Sequence, residues 1–109
     1  MVSELILTCL LWASGENEKQ VEVDVTYNYA FLSESLGFYS FFADVVDGNI
    51  TSMTIQSTLT WNKVQMSNSD QPLKKMKVVM SFDNEEATFE CEMKNKEVAN
   101  ESQFGEEQD

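Results

Sequence analysis

The ionisable side chains of this chain are almost all carboxylates. It has 19 Asp and Glu residues against seven basic residues, no histidine, and a formal net charge of −12 at pH 7. Every basic residue is a lysine. Histidine is the usual general base near neutral pH and the commonest transition-metal ligand. Its absence excludes Ser-His-Asp and Cys-His catalytic groups and histidine-bearing zinc sites, so carboxylate chemistry remains.

Two pairs of carboxylates lie at the spacing of a β-strand. Glu22 and Asp24 form one pair and Glu90 and Glu92 the other, each alternating with apolar residues. Residues i and i+2 of a strand share one face, so two neighbouring strands would place four carboxylates together. Like charges directly opposed destabilise a sheet, and a chain that retains them is predicted to use them for binding. Further acidic residues flank the pairs: Glu16, Glu18, Glu85 and Glu86.

Such a face predicts a function in binding another protein. Exposed carboxylates can dock on a basic cleft that normally holds nucleic acid, and complementary charge accelerates the encounter. Direct binding of nucleic acid or of an anionic membrane is not expected, because the chain has no arginine and no basic footprint. We therefore hypothesise a non-catalytic acidic protein, phage or bacterial, that inhibits or neutralises a basic, nucleic-acid-handling partner. Immunity proteins, phage counter-defence proteins and nucleic-acid mimics are of this kind, whereas an acidic surface that serves only solubility is the competing interpretation.

Two other functions fit parts of the sequence. The apolar segment Leu5–Leu11 could join subunits of an assembly or a homodimer, and a secreted ligand-binding β-barrel is the third hypothesis. A lysine patch could pair with the protein's own acids or with a second copy; it contains Lys74, Lys75 and Lys77. Three aromatic residues are candidate binding anchors, although each also suits a core: Trp12, Tyr39 and Trp61.

The cysteines and the remaining carboxylates predict neither catalysis nor metal binding. Cys9 and Cys91 lie far apart in β-like segments, which favours free, buried thiols, with a cross-strand disulfide as the alternative. The group formed by Asp83, Glu85 and Glu86 lacks the frame of a calcium loop. We expect no metal, no cofactor and no enzymatic activity.

The first strand also bears on location. Leu5–Leu11 is almost continuously apolar, which predicts a central strand, and the segment is too short for a helix that spans a bilayer. A secretory signal cleaved near Gly15 is the alternative. Glu4 and the lack of a basic residue before the apolar segment favour the strand, and with it a cytoplasmic protein.

Alternating residues predict the other strands. Val21–Phe31 alternates throughout, with its odd-numbered residues on the dry side, and is the strand around which we expect the fold to be organised. Further strands are predicted over Ile50–Asn62, Lys74–Phe82 and Ala87–Lys94, and a loop over Val64–Leu73.

The segment 33–47 fits two elements. As a helix it has a coherent polar stripe; as a strand it ends in Asp47-Gly48, a type I′ turn sequence. We expect the helix. The predicted fold is therefore an α+β domain over residues 1–95: an antiparallel sheet of about five strands with one helix packed on its dry face. An all-β barrel or meander of six strands is the alternative, and residues 96–109 are expected to form an acidic tail.

Overall fold

The computed structural model describes residues 5–67, 74–82 and 84–95, in which every regular element is a β-strand. The strands are β1 (Leu5–Ala13), β2 (Lys19–Val25), β3 (Ala30–Leu36), β4 (Tyr39–Val46), β5 (Asn49–Ser57), β6 (Lys63–Ser67), β7 (Lys75–Phe82) and β8 (Glu85–Asn95). They form two four-stranded antiparallel sheets, with the orders β2-β1-β8-β7 and β3-β4-β5-β6.

The connectivity is that of an up-and-down meander closed on itself. Each strand is followed by its spatial neighbour, and the first and last strands pair from Leu5↔Asn95 to Ala13↔Ala87. The ring divides into two sheets between β2 and β3 and between β6 and β7. The fold is therefore a flattened relative of the up-and-down barrel.

The inward faces of the two sheets share one core. Phe41 of β4 and Phe89 of β8 are fully buried and meet edge to face, with ring centroids 5.3 Å apart. Fully burying a large apolar side chain contributes about 1.5–3 kcal/mol, so this shared core holds the sheets together. Its other large members are Leu7, Leu11, Leu32, Val45, Ile50, Met53, Ile55, Val78 and Met80.

The predicted helix is wrong, and with it the α+β class. Residues 33–47 form the end of β3, a two-residue turn at Gly37-Phe38, and β4. Gly37 has φ 61°, as the first position of a type II′ turn requires. The alternative, a strand that ends in Asp47-Gly48, is right for β4 and its turn, since Asp47 and Gly48 have φ 55° and 75°, the type I′ pattern. It missed the turn at Gly37-Phe38. Aromatic and β-branched residues favoured the strand, and the all-β alternative had the right class but too few strands.

The strand predicted over Val21–Phe31 is only half right: Val21–Val25 lies in β2 with its valines packed against the core, but the chain then folds back on itself. Tyr27 and Asn28 have φ 52° and 69°, and Thr26 and Tyr29 exchange two backbone hydrogen bonds of 2.9 and 3.0 Å. This type I′ hairpin carries the chain from the first sheet to the second. Tyr27 is 89% exposed, whereas the alternation placed it in the core.

Other predictions were partly right. β1 lies between β2 and β8, which confirms the central strand. β7 and the inward residues of β8 are as predicted. β5 ends at Ser57, however, and β6 occupies part of the predicted loop Val64–Leu73, whose residues 68–73 lie outside the described part. The expected tail, 96–109, lies outside it as well.

The cysteines differ from the favoured prediction. Cys9 and Cys91 are both fully buried, as expected, but they are joined by a disulfide. The register of β1 against β8 places them directly opposite each other. Sequence alone does not give this, because the two residues are 82 positions apart and only the closure of the ring makes them neighbours.

Candidate partner-binding surfaces

The eight acidic residues predicted to bind a partner all belong to the first sheet and its β1–β2 loop. Glu16 and Glu18 lie in that loop, Glu22 and Asp24 on β2, and the other four on β8: Glu85, Glu86, Glu90 and Glu92. The two predicted pairs share the outer face of the sheet, because the residues between them point into the core. The shared face is as predicted.

The four carboxylates do not crowd one another on that face. β1 separates the pairs: Thr8 lies between Glu22 on one side and Glu92 on the other. Two strand spacings place the rows about 9–10 Å apart. The like charges are therefore not directly opposed, and the inference that the chain retains a destabilising contact for binding does not hold.

The lysines of β7 partly neutralise the β8 pair. Lys75 lies opposite Glu92 and Lys77 opposite Glu90, and the Lys75 Nζ is 3.5 Å from Glu90 Oε2. Lys74 instead donates a 2.6 Å hydrogen bond to the Gly48 carbonyl. Pairing with the protein's own acids, one of the two interpretations of this patch, is thus observed for Lys75.

An apolar row on β1 runs between the charged rows. Ile6, Leu10 and Trp12 point outward and are half-buried, while Thr8 is 8% exposed. The Thr8 hydroxyl has no hydrogen-bond partner among the described residues. A shallow depression of about 200 Å³ lies here, lined by Thr8, Leu10, Gln20, Lys75, Glu90, Glu92 and Lys94 and by Cys91 beneath them.

Four of the five predicted binding carboxylates that are exposed lie on β2, at the edge of the first sheet, and in the loop before it. We call these residues the acidic edge: Glu16, Glu18, Glu22 and Asp24, all exposed. β2 is the outermost strand on this side of the sheet. The one lysine among them, Lys19, donates a 3.0 Å ion-paired hydrogen bond to Glu34 of β3. The charge of the acidic edge is therefore little offset by its own lysine.

Four connecting segments meet where β1 ends and β8 begins. We call this surface the loop end; it comprises residues 14–18, 37–38, 58–62 and 84–86. The Ser14 amide donates to the Glu86 carbonyl at 2.8 Å, and the Thr58 amide to the Phe38 carbonyl at 2.7 Å. The Glu16 carboxylate lies over Gly37, where an added Cβ would be 2.6 Å from Oε2. The segments thus support one another.

Ser57 and Glu85 hold the β5–β6 loop from below. The buried Ser57 hydroxyl accepts hydrogen bonds from the amides of Leu59 and Thr60, both 3.2 Å. The Glu85 carboxylate accepts from the Ser57 hydroxyl, from Thr60 Oγ1 at 2.8 Å and from Asn62 Nδ2 at 3.1 Å. These bonds, that of Ser57 first, lower the pKa of Glu85, so the carboxylate is ionised at neutral pH. Glu85 therefore supports the loop rather than facing a partner.

The loop end exposes large apolar side chains. Phe38 is 58% exposed, Leu59 62% and Trp61 71%. Of the three aromatic anchor candidates, Trp61 is exposed and Trp12 half-buried, whereas Tyr39 is buried. Burial, and then the Glu85 charge, raise the pKa of Tyr39.

The alternating pattern missed this loop by placing Leu59 and Trp61 in the core. One local signal points to it: Ser57, Thr58 and Thr60 are residues whose hydroxyls compete with sheet hydrogen bonds.

The described residues contain no group of three His, Cys, Asp or Glu positioned to hold a metal ion, and Asp83 lies outside them. Within the same residues, no helix is long and apolar enough to cross a membrane. Comparison with protein-family models, curated proteins and solved structures gives no match.

Proposed function

We propose that this protein is a non-catalytic binding protein that docks on a basic protein partner through its acidic edge and blocks the partner's nucleic-acid-binding surface. The observation that carries the proposal is the exposed run of carboxylates along β2 and the preceding loop, whose only lysine is paired with Glu34. Such a run attracts a positively charged surface at long range and increases the association rate.

The proposal revises the expected site. Glu85, Glu90 and Glu92 are half-buried, and Glu85 and Glu90 bind groups of the protein itself. Glu86 is exposed at the loop end and extends the acidic edge across the Ser14–Glu86 backbone contact. The proposed contact residues are therefore Glu16, Glu18, Glu22, Asp24 and Glu86.

Binding to labelled oligolysine, measured by fluorescence anisotropy at low and high salt, tests the charge requirement. The edge variant carries Glu16→Gln, Glu18→Gln, Glu22→Gln and Asp24→Asn. We expect its affinity to fall about tenfold or more at low salt, at roughly 0.5 kcal/mol per surface charge. About 0.5 M salt should abolish binding of the native protein, because the screening length is then only about 4 Å.

A matched control distinguishes the contribution of the acidic edge to oligolysine affinity from the contribution of net charge. The Glu90→Gln and Glu92→Gln variant should lose less affinity per charge removed than Glu18→Gln with Glu22→Gln, because the lysines of β7 already face Glu90 and Glu92. Charged residues on an edge strand also prevent edge-to-edge pairing. If the acidic edge serves only that purpose, the two pairs will have equal effects on oligolysine binding, and the proposal is wrong.

The inhibitory part is tested with a basic nucleic-acid-binding protein. A linker histone bound to labelled DNA serves as the probe, and we expect the native protein to displace the DNA at low salt and the edge variant to do so poorly. Failure of both to displace DNA, despite binding oligolysine, would leave a binding protein without blocking activity.

The disulfide bears on the compartment. Cys9–Cys91 is fully buried, and structural disulfides persist mainly in oxidising compartments. We infer that the protein acts in such a compartment rather than in the cytoplasm. Cleavage near Gly15 would remove β1 and, with Cys9, the disulfide. Thiol alkylation of protein from its native source, read by intact mass, checks the state of the cysteines.

Self-association is the second candidate function. The half-buried row Ile6, Leu10 and Trp12 lies between the acids of β2 and the lysines of β7. A two-fold axis parallel to the strands and between β1 and β8 would place the acidic β2 of one copy over the lysine-bearing β7 of the other. Light scattering should then show a dimer that Leu10→Lys dissociates. The ligand-binding barrel is not favoured, because Phe41 and Phe89 occupy the centre between the sheets.

A further inference from the structure

We propose that Asn49 is the attachment site of an N-linked glycan. The triplet Asn49-Ile50-Thr51 fits the acceptor pattern, in which any residue except proline separates an asparagine from a serine or threonine. Such glycans are added to secreted proteins, so the inference rests on the oxidising compartment inferred under the proposed function. A second triplet, Asn100-Glu101-Ser102, lies outside the described residues.

The first argument is the orientation of the Asn49 amide. Asn49 begins β5, directly after the Asp47-Gly48 turn. Its Oδ1 is buried, whereas its Nδ2 donates a 3.2 Å hydrogen bond to the Asp47 carbonyl at the exposed surface of the turn. A carbonyl only accepts hydrogen bonds, so this contact identifies which end of the amide is the nitrogen. The atom that receives a sugar is therefore at the solvent-facing end of the amide.

The second argument is an exposed apolar patch beside Asn49, formed by Val46 and Phe31. Val46 lies directly opposite Asn49 in the β4–β5 pair and is 40% exposed. Phe31 pairs with Asp44, two residues before Val46, and is 59% exposed. Diagonal neighbours of this kind lie about 7–8 Å apart on one face of a sheet. The patch is thus next to the amide on the outer face of the second sheet.

A glycan on Asn49 is the occupant that suits this patch, because the covalent bond holds its first sugar there. That sugar, an N-acetylhexosamine, has an acetamido methyl group and a face of C–H groups, while its hydroxyl groups stay hydrated. Covering Val46 and Phe31 with these apolar groups removes apolar area from water, which is favourable. The position of the patch and the position of the triplet therefore agree.

The transfer must precede folding of the β4–β5 hairpin. The triplet is recognised through the hydroxyl of its third residue, and in the folded chain Thr51 Oγ1 donates a 3.3 Å hydrogen bond to the Asp44 carbonyl. In the nascent chain, Asn49 Nδ2 attacks C1 of the saccharide of a lipid diphosphate donor. The N–C1 bond forms, the bond from C1 to the phosphate oxygen breaks, lipid diphosphate leaves, and Nδ2 loses one of its two protons. The other proton still serves the bond to Asp47.

Mass spectrometry of the protein from its native source tests the assignment. The amidase that removes N-linked glycans converts a glycosylated asparagine to aspartate, and in water enriched in heavy oxygen the new carboxylate carries the label. We expect the label at residue 49. An unmodified Asn49, in protein whose Cys9–Cys91 disulfide is intact, would overturn the inference.

Variants secreted from insect cells then show whether the triplet directs the modification. They carry Asn100→Gln, so that a glycan reports on Asn49 alone. Thr51→Ala should abolish the glycan, and Thr51→Ser should retain it because serine keeps the hydroxyl. Thr54→Ala, which removes a hydroxyl of the same strand outside the triplet, should also retain it. A glycan on Asn49 that persists in Thr51→Ala would contradict the role of the triplet.

The covering of the patch has its own measurement. The Asn49→Gln variant should bind about twofold more of the hydrophobic dye ANS than the glycosylated protein, because its patch is open to the dye. Adding Phe31→Ser to both forms should remove most of that difference. Equal dye binding by the glycosylated protein and Asn49→Gln would overturn the packing of the sugar on Val46 and Phe31.

Oligolysine affinity distinguishes this inference from the proposed function. Asn49 lies on the second sheet and the acidic edge on the first sheet and its loop, so Asn49→Gln and the glycosylated protein should bind oligolysine equally. Salt-sensitive oligolysine binding with an unmodified Asn49 overturns the glycan and leaves the proposed function standing. A glycosylated Asn49 without oligolysine binding does the reverse. Free cysteines together with an unmodified Asn49 overturn the glycan and the oxidising compartment.

Discussion

At the loop end, a single carboxylate holds a loop that no local pattern predicts. Glu85 starts β8 and accepts hydrogen bonds from Ser57 at the end of β5 and from Thr60 and Asn62 of the β5–β6 loop, 23 to 28 positions earlier in the chain. From the acidic residues around it in the sequence, Glu85 was predicted to be exposed and to bind a partner. Its surroundings make it a structural group whose charge is bound by the protein's own hydroxyl and amide donors.

This arrangement predicts a pH dependence. The hydrogen bonds lower the folded-state pKa of Glu85 below its ordinary value of 4.5. Its contribution to stability is therefore complete above that ordinary value and is lost as the pH falls through the lower, folded-state pKa. We expect Glu85→Gln to be less stable than the native protein at pH 7, and the difference to shrink below about pH 4.5. Urea unfolding at several pH values measures it.

Glu86→Gln is the control for this prediction, since Glu86 is an exposed neighbour of the same charge. Its difference from the native protein should stay small across the same pH range. A Glu85→Gln difference that is independent of pH would show that the charge of Glu85 does not hold the loop.

Among the elements, short turns decide the architecture. Three two-residue hairpins, at Tyr27-Asn28, Gly37-Phe38 and Asp47-Gly48, connect strands that the pattern merged or assigned to a helix. The first is the least expected, because Tyr27 is a bulky residue with positive φ. Asn28 tolerates the left-handed region better than most residues, and its carbonyl accepts a 2.9 Å bond from the Gly48 amide, which ties two hairpins together.

Tyr27 therefore offers a stabilising substitution. Tyr27→Asn replaces an exposed aromatic with a residue that adopts φ 52° more readily, and we expect it to stabilise the protein by about 0.5–1 kcal/mol. The matched control is Tyr29→Asn, where no positive φ occurs and strand propensity favours tyrosine. Thermal unfolding of both variants is the measurement, and a lower Tm for Tyr27→Asn would contradict the prediction.

At the scale of the whole molecule, β1 pairs with β8 and closes the ring of strands. The disulfide joins the middle of β1 to β8. The crosslink spans 82 residues, so it restricts a large part of the unfolded chain. We expect the Cys9→Ala, Cys91→Ala variant to lose about 2–5 kcal/mol of unfolding free energy. Urea unfolding with and without reductant measures it.

Reduction of the native protein is the control for packing, because it breaks the disulfide without removing the two buried side chains. Reductant should bring the native protein close to the stability of the double variant and leave the double variant unchanged. A native protein whose stability is insensitive to reduction, after thiol titration has shown that the bond is broken, would contradict the stabilising role of the disulfide.

The sequence by itself determined the segments with strict local periodicity. A continuous apolar run predicted β1, and alternation over eight or more residues predicted β7 and the inward face of β8. Both patterns are local properties of the sequence. The same period put Glu22 with Asp24, and Glu90 with Glu92, on one face of their own strands. The composition, with many acids and no histidine or arginine, limited the chemistry before any fold was known.

Tertiary structure decided which strands are neighbours, and with them the site. Alternation continued through Tyr27-Asn28 and through Leu59 to Trp61, but the chain turns at both places. Each turn is closed by local backbone hydrogen bonds and also held by a distant residue, Gly48 at the first and Glu85 at the second. The insertion of β1 between β2 and β8 separated the carboxylates and brought Cys9 to Cys91. The register of β7 against β8 opposed Lys75 to Glu92. Strand order depends on contacts between residues far apart in the chain, so no local period specifies it.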